Sequence, residues 1–355
     1  MPEFRHTLSD IYYFPTITSF ILDFERYDPT KYVWPVVQSC AIDAFRSDLL
    51  CFFLTTFTFS RHGLLRSPMG ALSLRNLQSR CEDHVTDSPG FSGLVNNLHA
   101  LELSFLTVEH ERGRPHNRPI GPQSWDFYTT LPQVWLAPAR RLTKLRLSAN
   151  SHWGYYPKVD FRNVNFGSLK TLILDCFTFS HDWQQVWLLR HCTTLTHLVL
   201  SRCSILRDAL CIGYLDQEGY PTGLRTGLPT ESATYTYNTG WSDYLNAMSD
   251  SLTELHYFSM VGENQKSAVA EEMTIITHAD RYLDFKSGLY SAVIDRTFRG
   301  GAVDLSSRIS QMAIAGPVSL NTNHLLAMSR QYQEDAQALR NFLNKIAQRN
   351  MAIGK

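Results

Sequence analysis

The 355-residue chain has no excess of either charge, since Lys+Arg and Asp+Glu both number 33. A balanced chain projects no long-range field toward phosphate backbones or anionic headgroups, so neither nucleic acid nor a membrane surface is a favoured partner. It also has no long apolar run. The most apolar stretch, LLCFFLTTF at 49–57, is about half of what spans a bilayer and contains threonines. The first residues, MPEFRHTLSDIYYFP, lack the basic and then apolar segments of a secretory signal. These absences point to an intracellular protein, cytoplasmic or nuclear and not secreted.

Cysteine is too irregular for a disulfide framework or a zinc site. The seven residues, at 40, 51, 81, 176, 192, 203 and 211, are odd in number and include no CxxC pair, which suits reduced, buried thiols. Motifs that carry chemistry are missing as well. GFSG at 90–93 is one residue short of G-x-S-x-G, and EHERGRPH at 109–116 has no HExxH helix. Tyr27 and Lys31 have Y-x-x-x-K spacing, but Pro29 stands between them and no glycine-rich nucleotide loop accompanies them. The expectation is a protein without cofactor, metal or catalytic residues.

What the chain does have is apolar content, 44% with 12% aromatic, enough for a substantial core and too much for a disordered chain. It also has a repeat. LxxLxL occurs as LHALEL from Leu98, LTKLRL from Leu142, LKTLIL from Leu169 and LTHLVL from Leu195. Looser copies are ITSFIL from Ile17, MGALSL from Met69 and LTELHYF from Leu252. Successive starts are separated by 52, 29, 44, 27, 26 and 57 residues. The short gaps match leucine-rich repeats of about 20–29 residues, and the two longest are near double that period.

Alternation along a strand sends the last two leucines of each copy into the core and the residue between them to the other face. Those outward residues are Ser73, Glu102, Arg146, Ile173, Val199 and His256, a candidate partner-binding column. Asn150 and Cys203, three positions beyond the last leucine, are read as turn residues where the chain leaves the strand. Helices are expected at 34–53 and 177–191, the second with Ser180 as N-cap and with Phe179, Trp183, Val186, Trp187 and Arg190 near one face. Leu339, Phe342, Leu343 and Ile346 mark an amphipathic C-terminal helix. Residues 111–138, with five prolines, read as an irregular insertion, and 204–250, rich in Gly, Thr, Pro and Tyr, as a long loop and candidate binding element.

The fold class expected is therefore α/β: an irregular leucine-rich-repeat-like solenoid, with parallel strands on the concave face and helices and loops on the convex face. Residues 1–330 form the repeat domain and 331–355 a capping helix.

The stretch from LTKLRLSAN to LSRCSIL resembles the central segment of a group of filamentous-fungal F-box domain-containing proteins. The residues that carry the resemblance are WGYYPKVDF at 153–161, FSHD at 179–182 and SRCSI at 201–205. LSLRNLQ at 72–78, VWLAPA at 134–139, GWSDYLNAM at 240–248 and RYLDF at 281–285 extend it. The resemblance implies a non-enzymatic receptor that recruits a protein substrate to a cullin-type ubiquitin ligase. MPEFRHTLSDIYYFPTITSFILDF resembles the family's first strand after the F-box, and no LPxE-like F-box module is identified. A Skp-type adaptor and cullin are thus implied only if an F-box lies upstream. The alternative is a stand-alone interaction scaffold or a truncated gene product with no ligase link, such as an accessory protein of a fungal gene cluster.

Overall fold

The computed structural model describes residues 17–24, 44–54, 69–79, 86–87, 89–106, 122–212, 214–222, 232–261, 282–287, 290–296 and 322–353. The strands are β1 (Ser19–Asp23), β2 (Ala71–Gln78), β3 (Ala100–Leu106), β4 (Lys144–Trp153), β5 (Thr171–Phe179), β6 (His197–Ser201), β7 (Ser204–Ile212), β8 (Ser232–Thr236), β9 (Tyr257–Val261), β10 (Tyr282–Ser287) and β11 (Tyr290–Arg296). The helices are α1 (44–54), α2 (Pro89–Asn97), α3 (Pro122–Leu131), α4 (Asp182–Leu189), α5 (Trp241–Ser251) and α6 (Thr322–Ile353).

Each LxxLxL copy is a strand, and the strands lie side by side in the order β1-β2-β3-β4-β5-β6-β9, all parallel. The protein is an α/β fold with a mostly parallel central sheet. Register stacks the leucines into two rows on one face. One row is Phe20, Leu72, Leu101, Leu145, Leu172, Leu198 and Phe258; the other is Leu22, Leu74, Leu103, Leu147, Leu174, Leu200 and Met260. From Leu72 to Leu200 these leucines are no more than 2% exposed. Burying one such side chain is worth about 1.5–3 kcal/mol, so the rows are the main cohesive element.

A backbone staircase joins the strand starts. The carbonyls of Thr18, Gly70, His99, Thr143, Lys170 and Thr196 each accept two N–H groups from the next strand in the path, and the last pair comes from His256 and Tyr257. The final carbonyl, that of His256, accepts instead from the Asn350 side chain at 3.0 Å, on α6.

Three of these chain runs change direction through left-handed backbone. Asn76, Cys176 and Arg202 have φ of 55°, 59° and 49°, each two residues beyond the second core leucine of its copy. Asn76 is held there by hydrogen bonds from its Nδ2 to the Asp23 side chain and the Phe24 carbonyl. Cys203 therefore follows the turn and does not make it. It is fully buried, and its thiol donates to the Leu174 carbonyl at 3.3 Å. Asn150 lies inside β4 and is exposed.

Past Cys176, β5 turns from β6 to pair with β7, which is flanked antiparallel by β8 and β11, with β10 beyond β11. The region 204–250 expected as one loop therefore contains β7, β8 and α5. Ile205, Leu206, Leu210 and Ile212 in β7 and the Thr and Tyr residues of β8 favour strands over the loop that the overall composition suggested.

Other boundaries also move. In the expected insertion at 111–138, the described part is helical: α3 followed by a π-turn at Pro132–Leu136, with Pro122 allowed at the first position of α3. Of 34–53, the described part 44–53 belongs to α1, and 34–43 lies outside the described residues. The 177–191 helix is confined to α4, because Phe179 still belongs to β5. Its N-cap is His181 and not Ser180, with the Gln184 side chain accepting the His181 N–H at 3.1 Å. Val186 is 51% exposed, so the expected apolar face is incomplete. Helix α6 starts at Thr322, upstream of the expected 331.

Candidate functional site

Opposite the leucine rows, the outward residues form a row of their own. Cα register places Ile21, Ser73, Glu102, Arg146, Ile173, Val199 and Ser259 side by side. Five of the six residues expected in the column are there. His256 is not. The copy at the last strand begins at Leu255 and not Leu252, so Phe258 and Met260 take the core positions and Ser259 the outward one. His256 sits on the staircase, where its N–H donates to the Thr196 carbonyl. The signal for this was LxxFxM, hidden because Phe and Met replace the leucines. Ile21, 57% exposed, was legible in ITSFIL.

The face changes character across the sheet. Toward β1 it is charged: Arg75 Nε lies 3.3 Å from Glu102 Oε1, Arg146 Nε 3.8 Å from the same oxygen, and Arg75 Nη1 3.8 Å from Asp23 Oδ2. Such part-exposed pairs contribute about 0–1 kcal/mol each and chiefly orient the side chains. Asp175, two residues beyond Ile173, is engaged by Arg202. Toward β9 the face is apolar and aromatic, with Ile173 and Val199 half-buried and the rings of His197 and Tyr257 stacked 5.7 Å apart. Ser73 is buried, and its hydroxyl has no hydrogen-bond partner among the described residues.

A second polar cluster lies where the 214–222 segment folds back on 155–162. Lys158 Nζ is 2.7 Å from Asp216 and 3.0 Å from Glu218, and 4.3 Å above the Tyr220 ring. Arg162 bridges Asp160 and Glu218. Burial opposes the Asp216 carboxylate, yet the Lys158 ammonium and backbone N–H groups outweigh it and hold the pKa below the usual range. Glu218 is lowered, first by Arg162. His181 stacks 4.0 Å from Tyr220, with Tyr155 and Tyr235 beside it, and burial pushes its pKa down.

Ser180 Oγ lies 2.7 Å from His181 Nδ1, a distance suited to a nucleophile and its base. However, Ser180 is fully buried, and the other imidazole nitrogen, Nε2, bonds the Glu218 carbonyl at 2.8 Å. The cluster acts as a latch between two chain segments.

Among the described residues, no group of three or more His, Cys, Asp or Glu side chains is placed to hold a metal ion. EHERGRPH at 109–116 lies outside them. No described helix is long and apolar enough to cross a membrane. Compared with known proteins, the chain matches no family model, no curated protein and no solved structure.

Proposed function

We propose that the parallel stack is an irregular leucine-rich-repeat-like solenoid whose exposed sheet face is concave, and that it serves as a non-enzymatic protein-binding receptor. In this reading it works like the substrate-recognition part of an F-box subunit of a cullin-type ubiquitin ligase. The observation that carries the proposal is the register of seven parallel strands, with leucine rows on one side and a row of mixed chemistry, exposed at Ile21 and Arg146, on the other. A row with charged and apolar ends is suited to reading side chains of an extended partner surface.

The test is affinity capture with the full chain and its Ile173→Asp/Val199→Asp variant, together with direct binding to a purified Skp-type adaptor. Partners retained by the wild type and lost from the folded variant support the receptor reading. Capture that ignores the variant overturns it. Adaptor binding identifies a ligase receptor, whereas face-dependent capture without adaptor binding identifies a stand-alone scaffold.

A further inference from the structure

The chain as a whole is neutral, but the edge of the sheet where β4 and β5 start carries several cations. Lys144 and Arg146 are exposed and stand two residues apart on β4, on either side of the buried Leu145. Lys170 is exposed one residue before β5, and its N–H donates to the Thr143 carbonyl, which places it against the start of β4. Arg140 and Arg141 are exposed on the segment leading into β4.

The nearby acids offer little neutralisation. Glu102 is shared between Arg75 and Arg146, and Asp175 is engaged by Arg202. The side chains of Arg140, Arg141, Lys144 and Lys170 make no ion pair or hydrogen bond among the described residues. A fold that needed these cations for its own cohesion would have paired them.

We infer that this cationic patch is where the proposed receptor takes its partner, and that the partner presents an extended acidic peptide segment with carboxylates at alternate positions. The inference rests on the receptor reading and narrows it. Residues i and i+2 of a strand are about 6.6–6.8 Å apart, so Lys144 and Arg146 match the repeat of an extended E-x-E or D-x-D segment lying along β4. Lys170 and Arg141 then flank the end of that segment near the strand start. Exposed cations, Arg146 held only by a 3.8 Å pair with Glu102 and Lys144 by none among the described residues, lose little hydration by meeting a carboxylate at a surface, and they steer an acidic partner there. The balanced charge elsewhere disfavours a general polyanion, which needs a long basic track.

The test is fluorescence anisotropy with the full chain and a labelled Ser-Glu-Ser-Glu-Ser-Glu peptide, its Gln counterpart and a single-stranded RNA oligomer of equal charge. The Glu peptide is expected to bind, and the Gln peptide to bind at least tenfold more weakly. Lys144→Glu/Lys170→Glu is expected to weaken the Glu peptide at least tenfold while keeping the wild-type melting temperature within a few degrees. Lys345→Gln on α6 serves as a control with unchanged binding. Equal binding of Glu and Gln peptides, equal or tighter RNA binding, or indifference to the double substitution overturns the inference. Capture lost in Ile173→Asp/Val199→Asp but unchanged in Lys144→Glu/Lys170→Glu keeps the receptor and removes the acidic segment. Capture indifferent to both removes the receptor.

Discussion

Asp335 on α6 accepts a hydrogen bond at 2.6 Å from the backbone N–H of Ser242, the second residue of α5. The helix needs that acceptor because its N-cap, Gly240, has no side chain to provide one. At the other end of α5, Arg349 donates to the carbonyls of Leu252 at 2.7 Å and Ser249 at 3.0 Å. The two helices run parallel, and α6 places an anion at the positive end of α5 and a cation at its negative end. Phe342 of α6 packs against Phe258 of β9 with centroids 4.9 Å apart, which ties the clamp to the last parallel strand.

Asp335→Ala is expected to destabilise the protein by about 1–3 kcal/mol, since it leaves a part-buried helix N–H without this acceptor and removes a helix-end charge. Asp335→Asn, which keeps an acceptor, should lose less. Urea melts of both variants against the wild type check the order, and an alanine variant as stable as the wild type would remove the clamp from the account.

The two faces of the sheet should differ sharply in tolerance. Leu198→Ala is expected to cost about 2–5 kcal/mol through lost burial and an unfilled cavity, whereas Val199→Ala, its half-buried neighbour, should cost under about 1 kcal/mol. Thermal melts measure both. Similar losses at the two positions contradict the register.

Gly154 has φ of +109°, and a Cβ there would come within 2.7 Å of the Phe177 ring and 2.9 Å of the Thr178 carbonyl oxygen. Gly154→Ala is expected to cost at least about 1–3 kcal/mol, because backbone strain and a clash with main chain add together. Gly167, with open space at its Cβ position, supplies the control, since Gly167→Ala should be near neutral.

Stability should fall with acid in two stages. Burial lowers the pKa of His181 and His191, with positive charge at Lys158 and Arg190 respectively adding to it. The unfolded chain then binds those protons more readily than the folded one. The contribution is complete above the ordinary histidine value of 6.5 and declines as pH falls from there toward the folded values. The lowered carboxyls of Asp160, Asp216 and Glu218 add a second decline below their ordinary values of 3.8, 3.8 and 4.5. His191 Nε2 is buried without a partner among the described residues, and the ring lies beside Phe166 and Trp187. His191→Phe should therefore shrink the loss between pH 7.5 and 5.5. An unchanged slope in denaturant melts excludes His191 as a source.

Cys203 is sealed, and burial pushes its thiol pKa well up, so it should resist iodoacetamide at pH 8 in the native protein. Cys192 and Cys51, both half-buried, should react earlier. Peptide mapping by mass spectrometry reads the order, and early labelling at Cys203 would show that β6 opens locally.

Alternation was enough to read most of the sheet from the residues. A leucine at every second position within each copy defines a buried face whatever the chain does next, so Leu145, Leu147, Leu172, Leu174, Leu198 and Leu200 were placed in the core, and Glu102, Arg146, Ile173 and Val199 on the other side. The sequence by itself thus determined the strands of the clear leucine copies, their inward faces and most of the outward row, whereas β7 and β8 lay in a stretch read as a loop. Register and turns were decided only in the tertiary structure. Ser259 takes the place expected of His256 because Phe258 and Met260, and not Leu255 and Tyr257, meet the neighbouring leucine rows. The turn belongs to Arg202, one residue before Cys203, because the chain enters left-handed backbone there and returns the thiol to the core. The clamp of α6 on α5 and the latch between Lys158 and Asp216 join residues far apart in the chain, and no local period encodes a contact made across that distance.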